Sequence, residues 1–144
     1  MKLDDKDMDI LSLLKKNAKS TTQQISREVG VPITTVHNRI KKMERGGVIK
    51  KYTIWVNYKK LGKGITARIA INVGGEGDQD EISAKLLQHK DVVCTYQVTG
   101  TDDIIVKLNV GDVNELHSFI MDEVRTKKGV TGTRTLIVLK EFRK

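Results

Sequence analysis

The sequence predicts an α+β chain in three parts: an N-terminal helix-turn-helix domain over residues 1–51, a linking strand over 52–62, and a ferredoxin-like βαββαβ domain over 63–144. Three observations carry that prediction. Apolar residues recur at helical spacing as far as Met43 and then alternate at strand spacing from Tyr52. The net positive charge lies entirely before residue 61. The last part repeats itself, with "AINVG" ending at Gly74 and "KLNVG" at Gly111, and "KDVV" from Lys90 answered by "KGVT" from Lys128.

The charge partition is sharp. Residues 1–60 hold 14 Lys and Arg against 6 Asp and Glu, a net of +8, whereas residues 61–144 hold 12 of each. Within residues 15–60 the only acids are Glu28 and Glu44. A polyanion-binding module joined to a neutral one has this distribution.

Each basic element has local signals. Asp4 can cap a first helix, Asp5, Asp7 and Asp9 meet its positive end, and Lys15 and Lys16 meet its negative end. Leu3, Met8, Leu11 and Leu14 read as its apolar face. Thr21 followed by Gln24 has capping-box spacing for a second helix, which Gly30 ends. Pro32 fits the first turn of a third helix, whose Ile33, Val36, Ile40 and Met43 point inward before Gly46 and Gly47 stop it. Ser26, four residues before Gly30, and the apolar Ile25, Val29, Val31 and Val36 complete helix-turn-helix spacing.

That register leaves Thr34, Thr35, His37, Asn38, Lys41 and Lys42 outside, with no acid between Ile33 and Met43. In the motif, such a helix enters the DNA major groove: short polar groups can read base edges while cations meet phosphates. A helical bundle used for protein contact is the alternative.

"YTIWVNYKKLG" alternates Tyr52, Ile54, Val56 and Tyr58 with Thr53, Trp55, Asn57 and Lys59, as a strand does. A lone strand needs a partner, and its twin in a second chain is one. Beyond it the echo gives strand Ile65 to Val73, helix Asp80 to Gln88, strand Val92 to Val98, strand Ile104 to Val110, helix Asp112 to Arg125 and strand Val130 to Leu139. Both helices would cover one face of the sheet. The other face, read as carrying Thr95, Gln97, Lys107 and Thr133, is not polar enough to stay bare, and a second copy could cover it.

Four stretches in order, "LDDKDMDILSLLKKNAK", "VPITTVHNRIKKMERGGVIKKY", "VTGTDDIIVKLNV" and "GVTGTRTLIVLK", resemble the successive signatures of the Lrp/AsnC, or feast/famine, transcription regulators over nearly the full length. The resemblance implies a transcription regulator, activator or repressor, in a chain whose single cysteine and lack of a membrane-length run or cofactor motif read as cytoplasmic and cofactor-free. It binds a pseudo-palindromic operator as a dimer or a tetramer of dimers. Its implied partners are double-stranded DNA, further copies of itself, a small effector such as an amino acid, and the basal transcription machinery, with no membrane.

Carried onto this chain, DNA contacts fall on Thr22, Gln23, Thr34, Thr35, His37, Asn38, Arg39, Lys41, Lys42 and Arg45, within a recognition helix from Pro32 to Arg45 and the helix before it. The effector loop is "TGTDD": Gly100 and Asp103 match the family's Gly-x-x-Asp pattern, and Asp102, Thr133 and Thr135 are further candidates. Asp103 could hold an ammonium group and Gly100 could offer its N–H to a carboxylate. The same loop also reads as a plain hairpin turn, with positive φ at Gly100 and Asp102 satisfying the backbone. Pro32 departs from the family's usual Ser or Thr cap, which implies a helix start shifted by a residue.

Catalysis has little footing. Cys94, the sole cysteine, permits no internal disulfide and reads as a buried thiol; His37, His89 and His117 lack metal-ligand spacing; "GGEGDQD" lacks the ending of a phosphate loop. No apolar run approaches bilayer length, and "MKLDDKDMD" is too acidic for a signal peptide. A sirohaem-decarboxylase-like enzyme of the same architecture is the alternative, against which the acid-free, Lys-rich helix argues. RNA recognition by the sheet would need an aromatic stacking pair that is missing from a chain only 4% aromatic.

Overall fold

The computed structural model describes residues 2–142. The chain divides into two compact units, one ending at Trp55 and the other starting at Val56.

The first unit has three helices, α1 (Asp5–Lys16), α2 (Thr22–Val29) and α3 (Ile33–Arg45). Their ends follow local chemistry. Asp4 and Asp7 form a reciprocal capping box at α1, Thr21 and Gln24 another at α2, and Gly30 closes α2 at φ 70°. The Ser26 hydroxyl donates to the Val31 carbonyl at 2.6 Å, tying α2 to the turn after it. Pro32 is the residue preceding α3 and makes no side-chain cap, so the helix begins one residue later than the Pro32 start expected.

Ile10, Leu14, Ile25, Val29, Val36 and Met43 form the core of this unit. Burying each such side chain contributes roughly 1.5–3 kcal/mol. Ile10 occupies the place expected of Met8, which is 52% exposed. Ile33, at the first turn of α3, is also largely exposed and Ile40 is half-buried, so Val36 and Met43 carry the inward face.

The predicted linking strand over 52–62 is not formed. Residues 51–57 belong to no sheet, and Tyr58–Leu61 is a single 3-10 turn that Asn57 caps and Gly62 ends at φ 74°. Alternation alone does not make a strand, because the backbone groups need a ladder partner and the sheet of this chain uses none of these residues.

The second unit contains β1 (Ile65–Val73), α4 (Gln79–Leu87), β2 (Val92–Gln97), β3 (Ile104–Val110), α5 (Val113–Ser118), which continues as a wider π-type segment (Phe119–Val124), and β4 (Val130–Ile137). The strands form one antiparallel sheet in the order β2-β3-β1-β4, the βαββαβ arrangement predicted. Asp78 and Asp112 cap α4 and α5. The helices pack Ile82, Leu86, Leu116, Phe119 and Val124 onto Ala67, Ile69, Ile71, Ile104, Val106, Leu108 and Val110.

The residues on the opposite face differ from those expected. Directly paired residues of antiparallel strands share a face. Thr95 lies opposite Val106, Gln97 opposite Ile104 and Thr133 opposite Ile71, which puts all three on the helix side. A register shift between Val92 and Cys94 reverses the alternation of β2, so Cys94 lies opposite Lys107 and Tyr96 opposite Ile105 on the open side. Cys94 is therefore half-buried rather than enclosed in the core. Lys107 itself is 5% exposed, its ammonium on the Glu141 carboxylate at 2.5 Å.

Candidate nucleic-acid interface and effector loop

The outer face of α3 presents Thr34, His37, Asn38, Lys41, Lys42 and Arg45 to solvent, with Thr35 half-buried beside them. On α2, Gln23 is exposed and Thr22 half-buried. The short polar groups thus sit in the first two turns and the cations in the last two. Glu44 tempers part of that charge: its carboxylate accepts from Lys41 Nζ at 3.1 Å and from the Tyr52 hydroxyl at 2.9 Å. The Lys41 ammonium, then the Tyr52 hydroxyl, hold the Glu44 carboxyl below its usual range. Burial, then Glu44, raises Tyr52. Arg45 folds along the helix, its Nε donating to the Lys41 carbonyl at 3.3 Å.

Arg39 is the exception among the predicted contacts. Its Nη1 donates to both Asp4 oxygens at 2.8 Å and to Asp7 Oδ1 at 2.7 Å. Asp4 first, then Asp7, raises the guanidinium above its usual value, and Arg39 lowers Asp4. Asp7, expected to serve the helix dipole, is 1% exposed and faces the domain interior. A signal for this pair exists. Asp7, Ile10 and Leu14 repeat at i, i+3, i+7, and so do Val36, Arg39 and Met43, which puts one acid and one base on the two inward faces.

In the second unit, Gly100 occupies a left-handed turn at φ 110°, between β2 and β3. The carboxylate of Asp103 is engaged within the chain, accepting the Val73 N–H at 2.8 Å and Gln79 Nε2 at 3.3 Å. The ammonium-binding role expected of it competes with that use. Asp102 instead accepts Arg134 Nη2 at 2.7 Å, which joins the loop to β4. Thr133 and Thr135 flank Arg134 and, by alternation, lie on the other face, opposite Ile71 and Ile69. Asn72 adds a second tie, donating to the Thr101 carbonyl at 2.6 Å.

The histidines have no common site. His89 meets Phe119 edge to face at 4.9 Å and its Nδ1 accepts the Asp91 N–H at 3.2 Å. Among the described residues no group of three or more His, Cys, Asp or Glu is placed to hold a metal ion, and no helix is long and apolar enough to cross a membrane.

A family model described as winged helix-turn-helix DNA-binding matches residues 3–50, and one described as the Lrp/AsnC ligand binding domain matches residues 66–144. The chain belongs to the Lrp/AsnC family. It is a transcriptional regulator of that type, with a DNA-binding helix-turn-helix and a ligand-binding domain. Over 138 residues, 96% of this chain and 90% of the relative, it is 41% identical to the HTH-type transcriptional regulator FL11 of Pyrococcus furiosus. The FL11 regulator of Pyrococcus abyssi is 38% identical over the same shares. Among solved structures, Escherichia coli AsnC has a TM-score of 0.88 at 29% identity, covering 100% of this chain and 98% of that one. The L-Met complex of the Neisseria meningitidis transcriptional regulator NMB0573 has a TM-score of 0.91 at 24% identity, covering 99% and 94%, and shares the fold. These relatives are named as regulators and give the decarboxylase alternative no support.

Proposed function

We propose that this Lrp/AsnC regulator works in the cytoplasm as a dimer, or an assembly of dimers, that sets two copies of α3 into successive major-groove faces of a pseudo-palindromic operator. The observation that carries the DNA contact is the outer face of α3, with polar Thr34, His37 and Asn38 followed by Lys41, Lys42 and Arg45. A two-fold axis would demand half-sites about one helical turn, roughly 34–36 Å, or a multiple of it apart.

Self-association is supported by exposed apolar side chains. Tyr96 and Leu136 are about half exposed on the open side of the sheet, and Ile54 is 76% exposed in the linking segment. Apolar surface of this kind is a cost that a second copy removes. The alternating residues 52–58 acquire a ladder if the twin segment of that copy pairs with them.

The L-Met complex of the Neisseria regulator supports an amino-acid effector. In this chain Gly100 and Asp102 are the candidates for its site, with Asp103 shaping the loop from behind and Thr133 and Thr135 on the other face of β4. An effector changes transcription only by binding one assembly or helix spacing better than another. Contact with the basal transcription machinery is the remaining partner of this reading.

Selection of bound duplexes from a random pool at near-physiological salt tests the proposal. Enrichment of an inverted repeat, together with a dimer or larger species in sedimentation, is the expected result. An unenriched pool bound by a monomer would overturn it.

A further inference from the structure

We infer that Arg39 is a positioning residue for the recognition helix, locked by Asp4 and Asp7, and that it contributes to DNA specificity without contacting phosphate. The inference rests on the reading of α3 as the groove helix.

Three features converge on Arg39. First, α3 has no side-chain cap, because Pro32 offers no acceptor. Polar ties instead hold α3 to its domain at Arg39, in its second turn, and at Glu44, which accepts the Tyr52 hydroxyl near its end. Second, the acids that hold it are themselves fixed. Asp4 Oδ1 accepts the Asp7 N–H at 2.9 Å while Asp7 Oδ2 accepts the Asp4 N–H at 3.1 Å, so the capping box of α1 and the anchor of α3 are one structure. Third, the cation is committed within the domain through Nη1, one of its two terminal nitrogens. Nη1 takes both carboxylates, Nε is buried without a hydrogen-bond partner among the described residues, and the side chain is 26% exposed.

The direction of the anchor matters. Arg39 lies on the same side of α3 as Val36 and Met43, three residues after one and four before the other. Apolar packing resists separation of the helices but resists rotation of α3 about its axis less well, because apolar contacts are not directional. A guanidinium nitrogen shared between two fixed carboxylates is directional. Rotation of α3 would carry His37, Asn38 and Lys42 together, since they neighbour Arg39 on the same helix. Holding Arg39 therefore holds the angle at which the polar groups meet base edges.

The test compares wild type, Arg39→Lys, Asp4→Asn and Asp4→Asn/Asp7→Asn on a selected duplex and on random-sequence DNA, each over a range of salt. Asn still caps a helix, so Asp4→Asn keeps the start of α1 while removing one of the two acids. Circular dichroism melting of each variant reports which remain folded. Positioning predicts that Arg39→Lys, with its charge kept, loses about tenfold or more in the ratio of specific to random affinity, while the salt slope on random DNA stays within about 0.3 of wild type. Asp4→Asn moves the same way.

A phosphate contact predicts the reverse. Arg39→Lys would then keep the ratio, and freeing Arg39 in Asp4→Asn would steepen the slope. Either of these results in a folded variant overturns the inference. A wild type that selects no duplex removes the reading of α3 and the inference with it. A selective wild type matched by an equally selective Arg39→Lys overturns the inference alone.

Discussion

Lys42 offers the most quantitative expectation for DNA binding. Its side chain is exposed on the outer face of α3, and no carboxylate forms an ion pair with it among the described residues. Its neighbour Lys41 is also exposed, but its Nζ is 3.1 Å from Glu44 Oε2. Each phosphate neutralised on duplex DNA contributes about 0.9 to the slope of log affinity against log salt, or about a 3.5-fold change in Kd for a fourfold change in salt. Lys42→Ala should therefore lower the slope by about 0.9 for each protomer on the duplex, or about 1.8 for a dimer. Lys41→Ala should lower it by less, because Lys41 must give up Glu44 before it meets a phosphate and its removal leaves that acid near the DNA. Glu44→Gln should steepen the slope. Fluorescence anisotropy on a labelled random-sequence duplex, from low to moderate salt, measures all three. An unchanged slope for Lys42→Ala, together with a drop of about 0.9 per protomer for Lys41→Ala, would refute the assignment.

Other expectations concern the second unit. A Cβ built on Gly129, where φ is +88°, would lie 2.2 Å from Gly77 Cα and 2.6 Å from Gly77 N, whereas Gly100, at φ +110°, has open space around it. Gly129→Ala should therefore cost at least about 2 kcal/mol more than Gly100→Ala in denaturant unfolding, since only the former adds a backbone clash to the strain of a left-handed residue. Asp103→Ala strands the half-buried N–H of Val73, and since a fully buried unsatisfied donor costs about 1–3 kcal/mol, a loss of about 1 kcal/mol is expected. Unfolding without any added effector should show that loss, and unchanged stability would return the carboxylate to a ligand-binding role. Lys63 Nζ lies 3.2 Å from Asp91 and 3.1 Å from Glu115, whose carboxylate also accepts the Gly111 N–H at 2.8 Å. The Gly111 N–H first, then Lys63, lowers Glu115, and Glu115 first, then Asp91, raises Lys63. A lowered acid stabilises the fold above its unfolded pKa, about 4.3, and loses that contribution as pH falls through the lower folded value. A raised base contributes fully below its unfolded value, about 10.4, and loses it as pH rises through the folded one. Stability profiles of wild type and Glu115→Gln should accordingly run parallel near neutrality and converge in acid, and a constant gap down to acid pH would contradict the sign.

The elements legible in the sequence are those fixed by chemistry within a few residues. The Thr21 and Gln24 capping box, the left-handed Gly30 and the caps at Asp4 and Asp112 need only neighbours along the chain. β1 and β3 are legible to the residue because runs rich in β-branched and apolar residues, each running into the same Asn-Val-Gly, leave little choice. The features that escape a sequence reading depend on distant partners. The register shift in β2 exchanges the faces of Cys94, Thr95, Tyr96 and Gln97, and it is visible only against β3. The linking segment alternates like a strand but has no ladder within its own chain. Arg39 counts as one more cation in a basic helix until Asp7 is found on the facing helix. Asp103 matches the family's loop pattern, yet its carboxylate is used by Val73 and Gln79 on β1 and α4.

Reading of base edges by the polar outer face of α3 is the central claim. Asn38 is the side chain best suited to that role, because an Asn amide can donate to and accept from one adenine. The most direct measurement is the affinity of wild type and Asn38→Ala for the selected operator and for random DNA at one salt concentration. Base reading by Asn38 predicts a selective loss on the operator of about 1–3 kcal/mol, with random-sequence affinity unchanged. An equal loss on both duplexes, or none on either, would contradict it.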